Sequence, residues 1–348
     1  MGIIDDRKIN MRGSAKIFSS TPILCHTLKT RFSGIKGWCC VCLFRVHCSV
    51  LVCFLFLYHN QLTMENYNYN NVWKEGIFDG KVCLITGGSG TICRQQAAAL
   101  MKLGCSVSII GRDQKQVDEV VKLLGKIGNK NAKVIGLGGC DVRSIDSMVS
   151  VAGKTVEKLG KIDYVICGAA GNFMSDFNHM SANAFKTVVD IDLLGSFNTV
   201  KACYPQLIKN KGSVIFVSAT LHYYGVPFQS HVGAAKAGID ALSNALAVEF
   251  GPIGVRCNCI APGPIGGTEG FNKLVPNKEN FESKIPLQRV GRTSDIANAT
   301  VFLFSDAAEW ITGTVMIVDG GFWHMGNFNT YDAYPNVLRN KLLEKPKL

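Results

Sequence analysis

Beyond residue 63 the sequence has no cysteine pair at C-x-x-C spacing and no His/Cys cluster. It also has no run of lysine and arginine with interleaved aromatics, no internal repeat and no low-complexity linker. Each absence removes a class of protein. Without spaced cysteines, neither a zinc centre nor a disulfide framework is indicated, and no metal is expected. Residues such as Cys83, Cys167, Cys257 and Cys259 fall in or at the ends of apolar runs, where a reduced thiol behaves as a small hydrophobe. Charge is also thin, at 18% of the chain. The formal net charge is +11, but the first 63 residues hold 8 Lys/Arg against 2 Asp and so carry more than half of it. The mild basicity left over suits an anionic cofactor and substrate, and no nucleic-acid partner is expected.

What is present describes a packed α/β protein: 348 residues, 47% hydrophobic, with 36 glycines. Gly37 to Tyr58 is a mostly apolar stretch of 22 residues, long enough to cross a bilayer, yet it contains Arg45 and His47. Met64 then opens a polar leader that runs directly into the first strand. The stretch before it lacks a signal-peptide cleavage site and the arginine-rich pattern of a transit peptide. Residues 1–63 are therefore expected to be an extension that the working protein does not carry, with a membrane anchor as the alternative. The remainder divides into a leader over 64–79, a dinucleotide-binding reductase domain over 80–323 and a tail over 324–348.

From Lys81 onward, short β-branched runs alternate with longer amphipathic stretches, the pattern of a doubly wound parallel sheet of the Rossmann type. Seven strands are expected: Val82 to Thr86, Ser106 to Ile110, Val134 to Leu137, Tyr164 to Cys167, Ser213 to Ser218, Val255 to Ile260 and Val315 to Val318. Helices fit between them over Ile92 to Leu103, Gln114 to Leu124, the stretch after the N-cap Ser144 to Leu159, Ala184 to Leu207, Gly233 to Phe250, and Asp295 to Phe304 after Ser294. Gly263 to Lys284, rich in Gly, Pro and Asn, reads as a mobile loop over the active site.

Thr86-Gly87-Gly88-Ser89-Gly90-Thr91-Ile92 follows an apolar strand and opens a helix, which is the context a phosphate-binding loop requires. Glycine lets backbone N–H groups approach a pyrophosphate. The second strand ends in Gly111-Arg112-Asp113. An acid at that strand end would bond the ribose 2′-OH of NAD, whereas an arginine can pair with the 2′-phosphate of NADP. Arg112 points to NADPH. Asp141 and Val142, at the end of the third strand, are placed to meet the adenine edge.

Four segments together resemble the short-chain dehydrogenase/reductase family: the glycine loop, Ala169-Ala170-Gly171, Lys236 in an Ala-Ala-Lys-Ala helix start, and Pro262-Gly263-Pro264-Ile265. Longer strings narrow the resemblance to the peroxisomal 2,4-dienoyl-CoA reductases, particularly the fungal ones. They are Ala169-Ala170-Gly171-Asn172-Phe173, Asp190-Ile191-Asp192, His231-Val232-Gly233-Ala234-Ala235-Lys236 and Gly267-Thr268-Glu269-Gly270. The resemblance implies NADPH-dependent reduction of a 2,4-dienoyl-CoA to a 3-enoyl-CoA in the β-oxidation of unsaturated fatty acids. It also implies a homo-oligomer, a dimer or tetramer.

The departures from the family pattern carry information. Four residues before Lys236, where the family has tyrosine, stands Val232; the family serine thirteen residues earlier is Ala219, with Ser218 beside it. The family asparagine is Asp192. In the GxxxGxG loop, Gly87 keeps the first glycine while Thr91 and Cys93 occupy the other two. Without the tyrosine that protonates a new alkoxide, ketone reduction is disfavoured, while conjugate reduction of an enoyl thioester remains open.

By resemblance, Lys236 holds the nicotinamide ribose and adds positive charge, Asn172 and Phe173 place the acyl thioester, and Asp192 relays a proton through water. Met174 and Ser175, next along the chain, join Phe173 as substrate contacts. Arg112, Arg143 and Lys273 are candidates for the phosphates of cofactor and CoA, and Tyr223 and Tyr224 for lining the substrate pocket. The chain ends Pro346-Lys347-Leu348, one residue from the Ser-Lys-Leu address read by the peroxisomal import receptor. Two competitors stay open: another acyl-thioester reductase of the family, 2-enoyl-CoA or 3-oxoacyl, and a catalytically silent nucleotide-binding scaffold.

Overall fold

A computed structural model describes residues 64–275 and 279–329, together with 340, 341, 343 and 344. The expectations for residues 1–63, including Gly37 to Tyr58, and for Pro346-Lys347-Leu348 lie outside the described residues. Among the described residues no helix is long and apolar enough to cross a membrane.

Seven parallel strands form one sheet: β1 Val82–Thr86, β2 Ser106–Ile110, β3 Val134–Leu137, β4 Tyr164–Cys167, β5 Ser213–Val217, β6 Arg256–Pro262 and β7 Val315–Val318. Their order is β3-β2-β1-β4-β5-β6-β7. Strands covered on both faces have no solvent side, so β1 and β4 are buried at every position instead of alternating. Alternate residues feed two cores. Cys83 and Ile85 of β1 pack with Leu100, Val117 and Val301, while Leu84 packs with Val151, Leu207 and Ile239.

Those partners define the layers. On one face lie α1 Thr91–Lys102, α2 Gln114–Gly125 and α9 Thr293–Phe304. On the other lie α3 Ile145–Leu159, α5 Gly195–Asn210 and α7 Ser230–Phe250. Three short helices complete the set: α4 Ala182–Val189, α6 Leu221–Tyr224 and α8 Glu269–Leu274. The strand order reverses between β1 and β4, and the cleft at their carboxyl ends is where open α/β sheets bind ligands.

Ser144 caps α3 by accepting from Ser147 N at 3.2 Å, as expected. Three expectations need correction. The single helix over Ala184 to Leu207 is two helices joined by a π-helical turn, Asp190–Leu194, whose wider turn carries Asp192 to the inside. Ser294 does not cap the last helix: Arg292 is the N-cap residue, Asp295 accepts from its N–H at 2.7 Å, and Ser294 lies buried within the first turn. The stretch from Gly263 to Lys284 contains ordered structure. Thr268 caps α8 by accepting from Phe271 N at 3.1 Å, and a 3₁₀ turn spans Phe281–Lys284.

The leader is a strap across α1 and α9. Glu65 N donates to Gln95 Oε1 at 2.9 Å, and Gln95 Nε2 donates to Tyr69 Oη at 3.0 Å. The Glu65 carboxylate accepts from Ser294 N at 2.9 Å and Ser294 Oγ at 2.7 Å, supplying negative charge at the N-terminus of α9. Tyr69 and Phe78 are fully buried in the larger core.

Candidate active site

The cleft between β1 and β4 is floored by backbone. Gly87 has φ of +63°, and a Cβ there would sit 2.5 Å from Gly168 O, so only glycine lets the loop pass beneath β4. A Cβ on Gly88 would meet Ile109 at 2.8 Å. Gly90 is the N-cap of α1 and supplies no side-chain bond to its first turn, leaving the helix N-terminus to an outside acceptor. Cys93 replaces the third family glycine without blocking the site because Gly168 makes room for it. Any Cβ on Gly168 would lie 2.2 Å from Cys93 Sγ. Burial pushes the Cys93 thiol up to about 12, so it is an inert packing group.

At the β2 end, Asp113 accepts from Lys115 N at 2.9 Å and Gln116 N at 3.2 Å as the cap of α2. The nearby acid is thus engaged in the fold, while Arg112 is exposed beside the loop. That division fits a 2′-phosphate better than a free ribose hydroxyl. Asp141 is clamped by Arg143, whose Nη2 lies 2.6 Å from Asp141 Oδ2 and whose guanidinium hydrogen bonds hold the carboxyl below its ordinary range. Val142 is buried, and Asn198 Nδ2 donates to Val142 O at 3.0 Å, fixing this loop from α5.

The far wall is built from side chains. Lys236 Nζ donates to Val217 O at 2.9 Å and lies 3.1 Å from Asp192 Oδ2. The ion pair is almost wholly buried, and Asp192 is completely so. Asp192 Oδ1 accepts from Gly171 N at 2.7 Å, which anchors the segment carrying Asn172 and Phe173. Asp192 Oδ2 has no partner in hydrogen-bond geometry, and Asn172 Oδ1 is likewise buried and unpartnered. Met174 and Phe173 are partly exposed at the mouth, and Ser175 N donates to Phe228 O at 3.2 Å. Val232 is buried against Val188 and Ala235, filling the tyrosine position with apolar packing.

The opposite lip is the segment Pro262 to Ile265. Gly263 N donates to Val318 O at 3.1 Å, Gly291 N to Pro264 O at 2.9 Å, and Thr268 Oγ1 to Ile265 O at 2.7 Å. Lys273 sits on α8 in an ion pair with Glu269 at 2.6 Å. Tyr223 and Tyr224 diverge: Tyr223 Oη donates to Asp240 Oδ2 at 3.1 Å, while Tyr224 packs edge-on against Phe322. A cavity of about 500 Å³ lined by Lys81, Tyr164, Arg256 and Trp310 lies at the amino ends of the strands, away from this cleft.

Two further residues of this wall were assigned no role from the sequence. His231 is fully buried against the Phe173 ring at 4.3 Å, with neither ring nitrogen hydrogen-bonded among the described residues. Burial holds its pKa below the ordinary imidazole value, against smaller upward pulls from the Phe173 backbone and the Asp192 carboxylate. Gln229 Nε2 donates to Phe173 O at 2.9 Å. Both precede Val232, and a polar pair at the start of an otherwise apolar helix was the available signal.

A doubly wound sheet with a glycine loop at the switch point and a buried lysine on the helix after β5 defines a short-chain dehydrogenase/reductase. Residues 88–323 match the family model described as enoyl-(acyl carrier protein) reductase, and the chain belongs to that family. It is 55% identical over 275 residues to a peroxisomal 2,4-dienoyl-CoA reductase, (3E)-enoyl-CoA-producing, of Saccharomyces cerevisiae, covering 78% of this chain and 94% of that protein. It is 39% identical to the peroxisomal 2,4-dienoyl-CoA reductase of Danio rerio, covering 73% and 85%. Among solved structures, a short chain dehydrogenase from Bacillus anthracis superposes with a TM-score of 0.66 at 35% identity, covering 73% of this chain and all of that one.

Proposed function

We infer that this chain is an oxidoreductase that uses NADPH to reduce 2,4-dienoyl-CoA to 3-enoyl-CoA in the peroxisomal β-oxidation of unsaturated fatty acids. The observation that carries this reading is the buried Asp192–Lys236 pair facing a cleft whose tyrosine position is Val232. Val232 offers no phenol at that position to protonate an alkoxide, but the pair offers fixed charge where a thioester enolate develops.

When bound, NADPH supplies the hydride. The glycine loop from Thr86 to Ile92 would cradle its pyrophosphate, Arg112 would meet the 2′-phosphate, and Asp141, Val142 and the Pro262 to Ile265 segment would hold the adenine and nicotinamide ends. Lys236, held by Val217 O and Asp192, presents its ammonium to the nicotinamide ribose. Asn172 and Lys236 stabilise the negative charge that hydride addition leaves on the thioester oxygen, and Asp192 holds water for the protonation that follows. Phe173, Met174 and Ser175 guide the acyl chain. Arg143 and Lys273 reach the CoA phosphates by exchanging their present partners, Asp141 and Glu269.

The deciding experiment measures NADPH oxidation with 2,4-hexadienoyl-CoA, 2-hexenoyl-CoA and acetoacetyl-CoA in parallel. Turnover of the first to a 3-enoyl product is expected; turnover confined to either of the others, or absent with all three, overturns the reading. Import proceeds through Pro346-Lys347-Leu348 and the peroxisomal receptor, and the enzyme works as a homo-oligomer. A fluorescent fusion of the last dozen residues that stays cytosolic, and a monomer mass by light scattering, would remove these two statements respectively.

A further inference from the structure

Around the Asp192–Lys236 pair, Asn172 Oδ1 and the ring nitrogens of His231 meet no partner in hydrogen-bond geometry among the described residues, the Phe173 backbone being the polar group beside the ring, and Asp192 Oδ2 meets only the Lys236 ammonium at 3.1 Å. A buried polar atom left unpaired costs about 1–3 kcal/mol, so such atoms gathered in one place mark a spot that water or substrate fills. Asn172 and Asp192 already have tasks in the reduction. His231 has none.

Its placement is specific. His231 lies on the first turn of α7, next to Val232, and is 0% exposed. Its ring packs on Phe173 at 4.3 Å, in the segment that Asp192 anchors through Gly171 N. With valine at the family tyrosine position, it is the protonable side chain that this turn brings to the site. Resting on the reading above, we propose that His231 is a positioning residue for protonation: together with the Asp192 carboxylate it holds the water that delivers a proton to the α-carbon of the dienolate.

The step balances as follows. NADPH, when bound, would supply the hydride for the far carbon of the diene, which leaves the displaced π electrons on a dienolate, toward the thioester oxygen. Those electrons then form the new C–H bond at the α-carbon as one O–H bond of the held water breaks. The hydroxide left behind rests against the Lys236 charge and regains a proton from solvent. A ring N–H can donate to the water oxygen while the carboxylate accepts one of its hydrogens, which fixes where the oxygen sits and leaves the second hydrogen for the α-carbon. That position decides the product, because protonation at the α-carbon gives the 3-enoyl thioester and at the γ-carbon the 2-enoyl thioester.

The test compares wild type with His231→Phe, which keeps the ring and loses both nitrogens, and with His231→Gln, which restores a polar group. Turnover of 2,4-hexadienoyl-CoA by the wild type checks the underlying reading separately. For His231→Phe the expected result is a fall in kcat on the order of a hundredfold. NADPH affinity should stay within about twofold, since no cofactor contact is removed. The solvent deuterium isotope effect should rise, and 2-enoyl-CoA should appear among the products. His231→Gln should recover part of the rate and of the 3-enoyl selectivity. Wild-type kcat in His231→Phe, or a slowed variant whose isotope effect and product ratio are unchanged, overturns the proposal. Should the phenylalanine variant fail to fold, His231→Gln is judged by the same readouts, and wild-type rate, isotope effect and product ratio there overturn it.

Discussion

The two walls of the cleft are made of different materials. On the side proposed to hold the cofactor, the features that shape the wall belong to the backbone: the left-handed turn at Gly87, the uncapped start of α1 and the close approach of Gly168. On the side proposed for the reaction they belong to side chains: Asp192 on a π turn, Lys236 and His231 on the first turns of α7, and Asn172 on the segment after β4. A backbone wall tolerates changes of residue type wherever the path of the chain survives. Thr91 and Cys93 accordingly replace two family glycines while the turn itself persists. A wall of side chains has no such tolerance, and each replacement there alters the chemistry.

The contrast breaks most visibly at Gly87. Gly87→Val puts a branched side chain where a Cβ would already lie 2.5 Å from Gly168 O, on backbone with positive φ. Strain from the left-handed conformation alone is about 1–3 kcal/mol. The variant should lose NADPH binding altogether, as read by quenching of protein fluorescence, and should unfold at lower urea. Unchanged NADPH affinity would refute a backbone cradle.

On the other wall, Asp192→Asn keeps the shape and removes the charge. Turnover should fall about 10²–10⁴-fold, the range for a group that manages proton transfer. Leaving Lys236 buried without its partner should also destabilise the fold by about 3 kcal/mol. NADPH affinity, measured by titration, should move far less than turnover. Retained turnover would reduce Asp192 to a structural partner of the lysine.

The smallest effect is expected at Arg112, the side chain proposed to meet the 2′-phosphate. Arg112→Asp should weaken NADPH by about 10- to 100-fold, the loss of a charge-assisted bond worth about 1.5–3 kcal/mol, and leave NADH nearly unaffected. Equal losses for both cofactors would place the arginine elsewhere.

The sheet was legible because its strands are short β-branched runs separated by helix-length amphipathic segments, and most boundaries agree to within a residue or two. What the sequence concealed depends on tertiary geometry. Asp192 sits in a stretch with ordinary helical periodicity, and nothing local reveals that the helix widens there to turn the carboxylate inward. Ser294 has the composition of a cap, yet Glu65, far away in the chain, takes up its hydroxyl and N–H. His231 was passed over because a lone histidine on a buried helix face has no spacing that marks it. Its significance lies in the bonds it does not make.

The strap from residue 64 to 79 bears on where the catalytic unit starts. The stretch that matches the family model starts at residue 88, but Tyr69 and Phe78 are core residues, and Glu65 accepts from the first turn of α9, which packs on the same face of the sheet as α1. A protein lacking residues 64–79 would open the hydrophobic interior along α1, the helix whose first turn we propose faces the pyrophosphate. Loss of the strap would thus be felt first as a weakened grip on the nucleotide, and the leader acts as a brace for the binding loop.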